Sequence, residues 1–468
     1  MIFFCGLALA LMPFIIECEG GNLIGTAKHP IIEASANQSE LPNHILEDIL
    51  YKAGFEAAKK AAQIKIRSRG AINRIFEDNI IIIKPYPHEK HEEIIEFDQK
   101  DEHFLKIQDY GKLMRLFHHF GEHVRRIHIY YYYMDDDMRR DINENIIKKY
   151  ANQLTELEIY TPQVWSESQN ERIWQEISNE NGEIHFPKVK KFKYTGRISR
   201  KSFDVNSILP SIEIFKLHGD VDDINCLANV RHLKELSLNT KSIGEDLLVN
   251  IIANNKQITK LTLWNYNTIR TVRSIRENLK DLKTLIVKYV GNDFFVPTTN
   301  KVYNFTSVTS FSVFGVMASL YRNISFDMPN LENLKLVGWN IDHRISNFVN
   351  RFHKLETVYV DGLTGKSSMS CIKSMIHVKE FATIDFGNSK LSSLKDFFEN
   401  FDKTTSNLKT LKLYNFNFSE YFRYEDTMNE INSHLKEIYK PTWKLSYGSG
   451  RRGTSRHYYL IFKRDLNS

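Results

Sequence analysis

Apolar residues recur along this chain at the first, fourth and sixth positions of short segments. VRRIHI, starting at Val124, is the first such segment. The same spacing opens at Leu154 (LTELEI), Val189 (VKKFKY), Ile212 (IEIFKL), Leu233 (LKELSL), Ile258 (ITKLTL) and Leu282 (LKTLIV). It continues at Val308 (VTSFSV), Leu331 (LENLKL), Leu355 (LETVYV), Val378 (VKEFAT) and Leu408 (LKTLKL), with a weaker copy, LKEIYK, at Leu435. From Leu233 to Val378 successive copies lie 25, 24, 26, 23, 24 and 23 residues apart, and the spacing loosens toward the edges of the array, to 35 from Leu154 to Val189 and 30 from Val378 to Leu408. The alternation at the end of each segment predicts a short strand with one apolar face. Amphipathic helices are predicted between strands. Residues 244–256 place Leu247, Leu248, Ile251 and Ile252 on one stripe, and residues 392–401 do so with Leu394, Phe397, Phe398 and Phe401. Near the C-terminus, TWKLSY and RHYYLIFKR flank GSGRRGTS, which predicts a hairpin around a glycine-rich turn that seals the last repeat.

A strand and a helix repeated every 20–29 residues with this spacing resemble the leucine-rich-repeat family. The resemblance implies an α/β horseshoe solenoid of about twelve repeats of roughly 24 residues, over residues 81–440, with a cap at 441–468. One repeat cannot bury its apolar face alone, whereas stacked repeats can. The Asn that the family carries two residues past each strand is replaced here by Lys241, Trp339 and Phe416. Residues between the apolar positions are expected to line the inner surface: Arg126, His128 and Tyr130; Glu156, Glu158 and Tyr160; Lys191 and Lys193; Lys216 and His218; and so on along the chain. Lys260, Trp264, Lys335, Tyr359, Lys412 and Tyr414 are the candidate target contacts, because aromatic side chains among long charged ones make a binding surface. The lysines at 216, 260, 288, 335 and 412 point to a partner of acidic character.

Residues 2–16 form an uncharged apolar run followed by ECEGG. Such a run is short for a bilayer span, which takes roughly 20 residues. It suits a secretory signal cleaved after residue 20, with 21–39 as a linker. No second stretch is long enough to cross a membrane, so no span is expected in the mature chain. Asn37, Asn304, Asn323 and Asn417 stand in glycosylation sequons, but an Asn-, Ser- and Thr-rich chain acquires several by chance.

Residues 40–80 read as three short helices. Pro42 stands where the first begins; Ile45 with Ile49 and Leu46 with Leu50 are apolar pairs one turn apart. Gly54 and Gly70 are expected to break the helices, with Ile72, Ile75 and Phe76 on the third. LPNHILEDIL ahead of such repeats resembles the start of an F-box. F-box/leucine-rich-repeat proteins are substrate receptors of cullin ubiquitin ligases. The resemblance implies that Leu41, Pro42, Ile45, Leu46, Ile49 and Leu50 bind a Skp-type adaptor. The second half departs from the family, with GAINRIF where a Val-Cys-x-x-Trp-like stretch is usual. An apolar leader, an F-box and repeats together resemble the secreted salivary effectors of gall midges, which implies secretion followed by action in a host cytoplasm. Two other readings stay open: an extracellular repeat protein whose first helices cap the repeats, and an ordinary cytosolic F-box protein.

Composition narrows the chemistry. With 63 Lys+Arg against 57 Asp+Glu the net charge is +6 over 468 residues, too weak to argue for nucleic acid. Four cysteines, Cys5, Cys18, Cys226 and Cys371, exclude a disulfide-stapled fold and a paired-cysteine zinc site, and disfavour disulfide-bonded extracellular caps. HEKHEE (88–93) has the wrong histidine spacing for a zincin and reads as a solvated loop. GSGRRG (448–453) fits GxGxxG by spacing but precedes a strand rather than a helix. Asp135, Asp136 and Asp137 read as a solvated acidic loop. The sequence has no P-loop, GxSxG or Cys/His nucleophile pattern, so a non-catalytic adaptor without cofactor or metal is expected.

Overall fold

In each of the segments from Val124 to Leu408, the residues at positions one, four and six are buried, and the residues between them stay partly or largely exposed at most positions. This alternation builds a mixed α/β fold around one open, mostly parallel sheet of 16 strands. A computed structural model describes residues 66–84, 104–162, 165–178, 185–196, 204–219, 229–239, 244–264, 269–288, 303–317, 326–341, 345–363, 374–384, 407–416, 443–452 and 455–464, with a few isolated positions between them. The adaptor candidates Leu41, Pro42, Ile45, Leu46, Ile49 and Leu50 lie outside these residues, as do HEKHEE and the helix expected at 392–401. The chain divides into a unit ending at Ala71 and a unit from Ile72 to Ser468.

Helix α1 (Ile66–Asp78) is continuous through Gly70, contrary to the break expected there. A mid-helix glycine costs only about 1 kcal/mol, which does not stop a helix whose other residues favour it. Phe76 stacks on Phe120 at 4.8 Å. Two strands escaped the repeat pattern: β1 (Ile80–Ile83) and β2 (Phe104–Ile107), which pair in parallel and form one end of the sheet.

From there the order follows the chain: β3 (Arg126–Tyr130), β4 (Glu156–Tyr160), β5 (Lys191–Thr195), β6 (Ile214–Leu217), β7 (Glu235–Asn239), β8 (Lys260–Trp264) and β9 (Thr284–Lys288). A two-residue pair, β10 (Tyr303–Asn304) and β12 (Phe326–Asp327), stands apart from the main sheet. The main ladder continues with β11 (Ser310–Met317), β13 (Asn333–Ile341), β14 (Thr357–Leu363), β15 (Glu380–Ile384) and β16 (Thr410–Phe416). One hydrogen-bond motif recurs at every step of the main ladder from β3 to β16. The carbonyl of the residue before a strand accepts from two successive amides of the next segment, as Lys234 accepts from Thr259 and Lys260 at 2.9 and 3.2 Å. Repetition of this bond locks the register, and a one-residue slip would turn the apolar row outward.

Helices return the chain between parallel strands. The earlier ones start where a polar side chain caps them: Asp109 for α2 (Tyr110–Phe120), Asp135 for α3 (Asp136–Ile142), and Ser166 with Gln169 in a capping box for α4 (Glu167–Ile177). Asp204 caps the short α5 (Val205–Ile208). The predicted helix at 244–256 forms as α6 (Glu245–Asn254), burying Leu248, Ile251 and Ile252, while α7 (Ile269–Asn278) and α8 (Ile345–Val349) follow. Trp174 of α4 lies 5.2 Å from Tyr194 and 6.3 Å from Phe192, which places this helix on the apolar side of β5. No helix among the described residues is long and apolar enough to cross a membrane.

Pairing turns antiparallel at the far end. β17 (Trp443–Arg452) and β18 (Ser455–Arg464) form the expected hairpin, and β18 lies against β16. Residues 448–452 are not its turn. Gly448–Arg452 continue the ladder as far as Arg452 opposite Ser455, so GSGRR is strand and supplies no phosphate-binding loop at a helix start. In β11 the register shifts between Phe314 and Val316, where Gly315 takes φ 81°. That left-handed conformation suits glycine at a bulge.

Candidate functional site: the polar face of the sheet

The side of the sheet opposite the apolar rows carries three in-register rows of side chains. One row runs Arg126, Glu156, Lys191, Ile214, Glu235, Lys260, Thr284 and onward. The next runs His128, Glu158, Lys193, Lys216, Ser237, Thr262, Ile286, Ser312, Lys335, Tyr359, Ala382 and Lys412. The third includes Tyr130, Tyr160, Trp264, Lys288, Phe314 and Tyr414. Alternation along each strand puts these residues on one face, and parallel pairing puts the rows side by side.

At β3–β5 the face is a dense ion-pair network. Glu156 accepts from Arg126 Nε at 2.9 Å, from Lys191 Nζ at 2.7 Å and meets His128 Nε2 at 2.7 Å. Glu158 lies 3.2 Å from Lys191, 3.6 Å from His128 and 3.7 Å from Lys193, and accepts from the Tyr160 hydroxyl. Both glutamate side chains are only 6% exposed. Burial alone would raise their pKa values. For Glu156 the hydrogen bonds and charges of His128 and Lys191 outweigh burial, and for Glu158 the charge of His128, the Tyr160 bond and the two lysines do so. Both carboxyls are held below the usual carboxylate range. Burial, aided by Glu158, pushes the Tyr160 hydroxyl far above its ordinary value. The Tyr160 ring stacks flat on Tyr130 at 4.2 Å, with Lys193 over its other side at 4.5 Å.

His128, Glu156 and Glu158 offer three ligand atoms within 4.8 Å of one another, a spacing compatible with a metal ion. The Lys191 ammonium, at 2.7 and 3.2 Å from the two carboxylates, already stands where such a cation would sit. The donor set therefore fits an internal ammonium better than a divalent ion.

Further along, Glu235 bridges Lys260 at 3.4 Å and Lys216 at 3.8 Å. The His218 ring lies 4.9 Å from Trp264, and its Nε2 is 3.2 Å from Ser237 Oγ. Burial and the positive charges of Lys193, Lys288 and Lys216 push His218 down to about 4, so it is neutral near pH 7. Lys288 Nζ lies over Trp264, and Lys335 Nζ over Tyr359. Lys412 donates to Glu380 at 2.6 Å. Tyr414 lies opposite Tyr459 of the closing hairpin.

All six candidate target residues thus lie on this face and are partly exposed. Lys335 and Tyr359 touch; Lys260 and Trp264 share β8, and Lys412 and Tyr414 share β16. Inspection of single strands misses the His128–Glu156–Glu158–Lys191 network and Phe314. Both emerge when the segments are stacked on their first apolar residue, which puts Phe314 in the column of Tyr160 and Trp264. The acidic run is a correction. Asp135 caps α3 by accepting from Met138 N at 2.8 Å, Asp136 pairs with Arg139 at 2.6 Å, and Asp137 stands in the same first turn. Carboxylates gather there because the helix start is electropositive. A comparison of the chain with protein-family models and with curated proteins finds no match.

Proposed function

We propose that this chain is a non-catalytic recognition protein, a leucine-rich-repeat solenoid whose polar face holds a target protein. In this reading the segment around 41–50 docks a Skp-type adaptor, making the chain the substrate receptor of a cullin ubiquitin ligase. The apolar leader fits a secreted form that works in a host cytoplasm. The observation that carries the recognition reading is the in-register parallel ladder, which turns one strand motif into a continuous strip of aromatic and charged side chains. Such a strip, backed by a buried apolar row, is a rigid surface for binding. The ligase reading is supported by LPNHILEDIL ahead of the repeats.

The test is co-purification of the chain with a Skp-type adaptor, comparing wild type with Ile45→Asp/Leu46→Asp. Burying two such apolar side chains at an interface contributes roughly 3–6 kcal/mol, and placing two carboxylates there costs more. Wild type is expected to bring down the adaptor and the double variant to lose it, with helix and strand content by circular dichroism unchanged. Failure of wild type to bind, or equal binding by the variant, sinks the ligase role and leaves a recognition protein without it. Unfolding of the variant marks the segment as a cap of the repeats.

A further inference from the structure

Between its ion-paired ends the polar face changes character. Lys288 Nζ lies 4.0 Å from the ring centre of Trp264 and 5.0 Å from that of Phe314. Lys335 Nζ lies 5.3 Å from Phe314 and 4.4 Å from Tyr359. Ring and ammonium therefore alternate across the adjacent strands β8, β9, β11, β13 and β14. Elsewhere on the face lysines meet carboxylates: Lys191 and Lys193 at Glu158, Lys216 and Lys260 at Glu235, Lys412 at Glu380. Lys288 and Lys335 meet rings instead, and no carboxylate among the described residues lies within ion-pair distance of either. The surrounding field is cationic. Burial and the charges of Lys335 and Lys193 hold the Lys288 pKa below its ordinary value, and Lys288 in turn depresses His218.

We propose that this stretch docks an acidic, extended segment of the target protein, two of its carboxylates meeting Lys288 and Lys335 and its intervening side chains lying on Trp264, Phe314 and Tyr359. The proposal rests on the recognition function above and names the chemistry of its partner. Half-buried ammonium groups that repel one another are relieved by an incoming anion. Rings between them favour an organic chain over an inorganic ion. With 5.0 and 5.3 Å to the same ring centre, the two ammonium groups are at most about 10 Å apart. Carboxylates on one side of an extended chain recur every ~6.8 Å, within that reach. Glu156, Glu158 and Glu235 on one side and Asp361 and Glu380 on the other bracket the stretch, which limits the anionic partner to a short segment and repels a long polyanion.

The probe is a fluorescein-labelled peptide of alternating Glu and Val, measured by fluorescence anisotropy with the full chain beside its Gln–Val counterpart. Wild type is expected to prefer the Glu peptide about tenfold or more. Lys288→Gln/Lys335→Gln, which keeps most of each side-chain stem, should abolish the preference without lowering the melting temperature. Lys409→Gln/Lys444→Gln removes the same charge from exposed positions and should retain the preference. If the first double variant melts early, the single variants decide, each expected to lose part of the preference. Equal binding of the two peptides, a preference that survives loss of both lysines, an equal loss in the control variant, or equally tight binding of a single-stranded oligonucleotide of matched charge would overturn the proposal. Those results leave the recognition function standing, because capture of the target by the same face is measured separately.

Discussion

Glu156 shows how individual residues shape the polar face. Its carboxylate is buried and receives His128, Arg126 and Lys191 at once. Its pKa in the fold lies below the ordinary value of 4.5. A depressed carboxyl contributes stability that is full above the unfolded value and is lost as pH falls below it. Glu156→Gln should therefore destabilise the protein at pH 7 by about 1–3 kcal/mol, because it leaves cationic partners uncompensated. The difference in melting temperature from wild type should narrow as the buffer is taken from pH 7 toward pH 3. A difference that stays constant over that range would mean that the charge of Glu156 does not matter. The sequence showed Glu156 and Glu158 as surface positions. Their convergence with His128 depends on a register between segments 30 residues apart, which no single strand reveals.

Among the elements, the strands that sequence pattern recovers are those with one wet face. Alternation marks β3–β9, β11 and β13–β16, because only half their side chains enter the core. It cannot mark β1, where Ile80–Ile83 are uniformly apolar and Ile80, Ile81 and Ile83 are buried. Local composition misleads where context decides. Gly70 sits inside α1, with nothing within 4 Å of where a side chain would start, so the helix bears its cost. Asp135–Asp137 begin a helix, and GSGRR pairs as strand because β18 offers partners along its whole length. The hairpin also makes a testable claim. β18 covers the edge of β16, with Leu460 and Phe462 fully buried and Trp443 nearly so. An uncovered edge backed by apolar side chains invites association with other chains. A chain ending after residue 440 should therefore elute from size exclusion as aggregate, or melt well below the full chain. A monomer of unchanged melting temperature would show that the hairpin is dispensable.

At the scale of the whole molecule, repetition converts weak local signals into a surface. Each strand brings two or three side chains, and the register shared from β3 to β16 aligns them into rows. The mixed α/β class and the repeating parallel strands were therefore legible from spacing, and so was the choice of face, whereas the pairing of charges and rings within the face was not. The recognition account stands or falls on that face. The most direct measurement is capture of partner proteins by the full chain from a host extract, comparing wild type with Trp264→Ala/Tyr359→Ala. Both side chains are outside the buried rows, so melting should change little, while removal of two aromatic anchors should weaken a target complex by roughly 2 kcal/mol or more each. The account predicts that proteins captured by wild type through the repeats disappear from the variant while an adaptor bound near residues 41–50 remains. An unchanged set of captured proteins, or a variant that fails to fold, would contradict it.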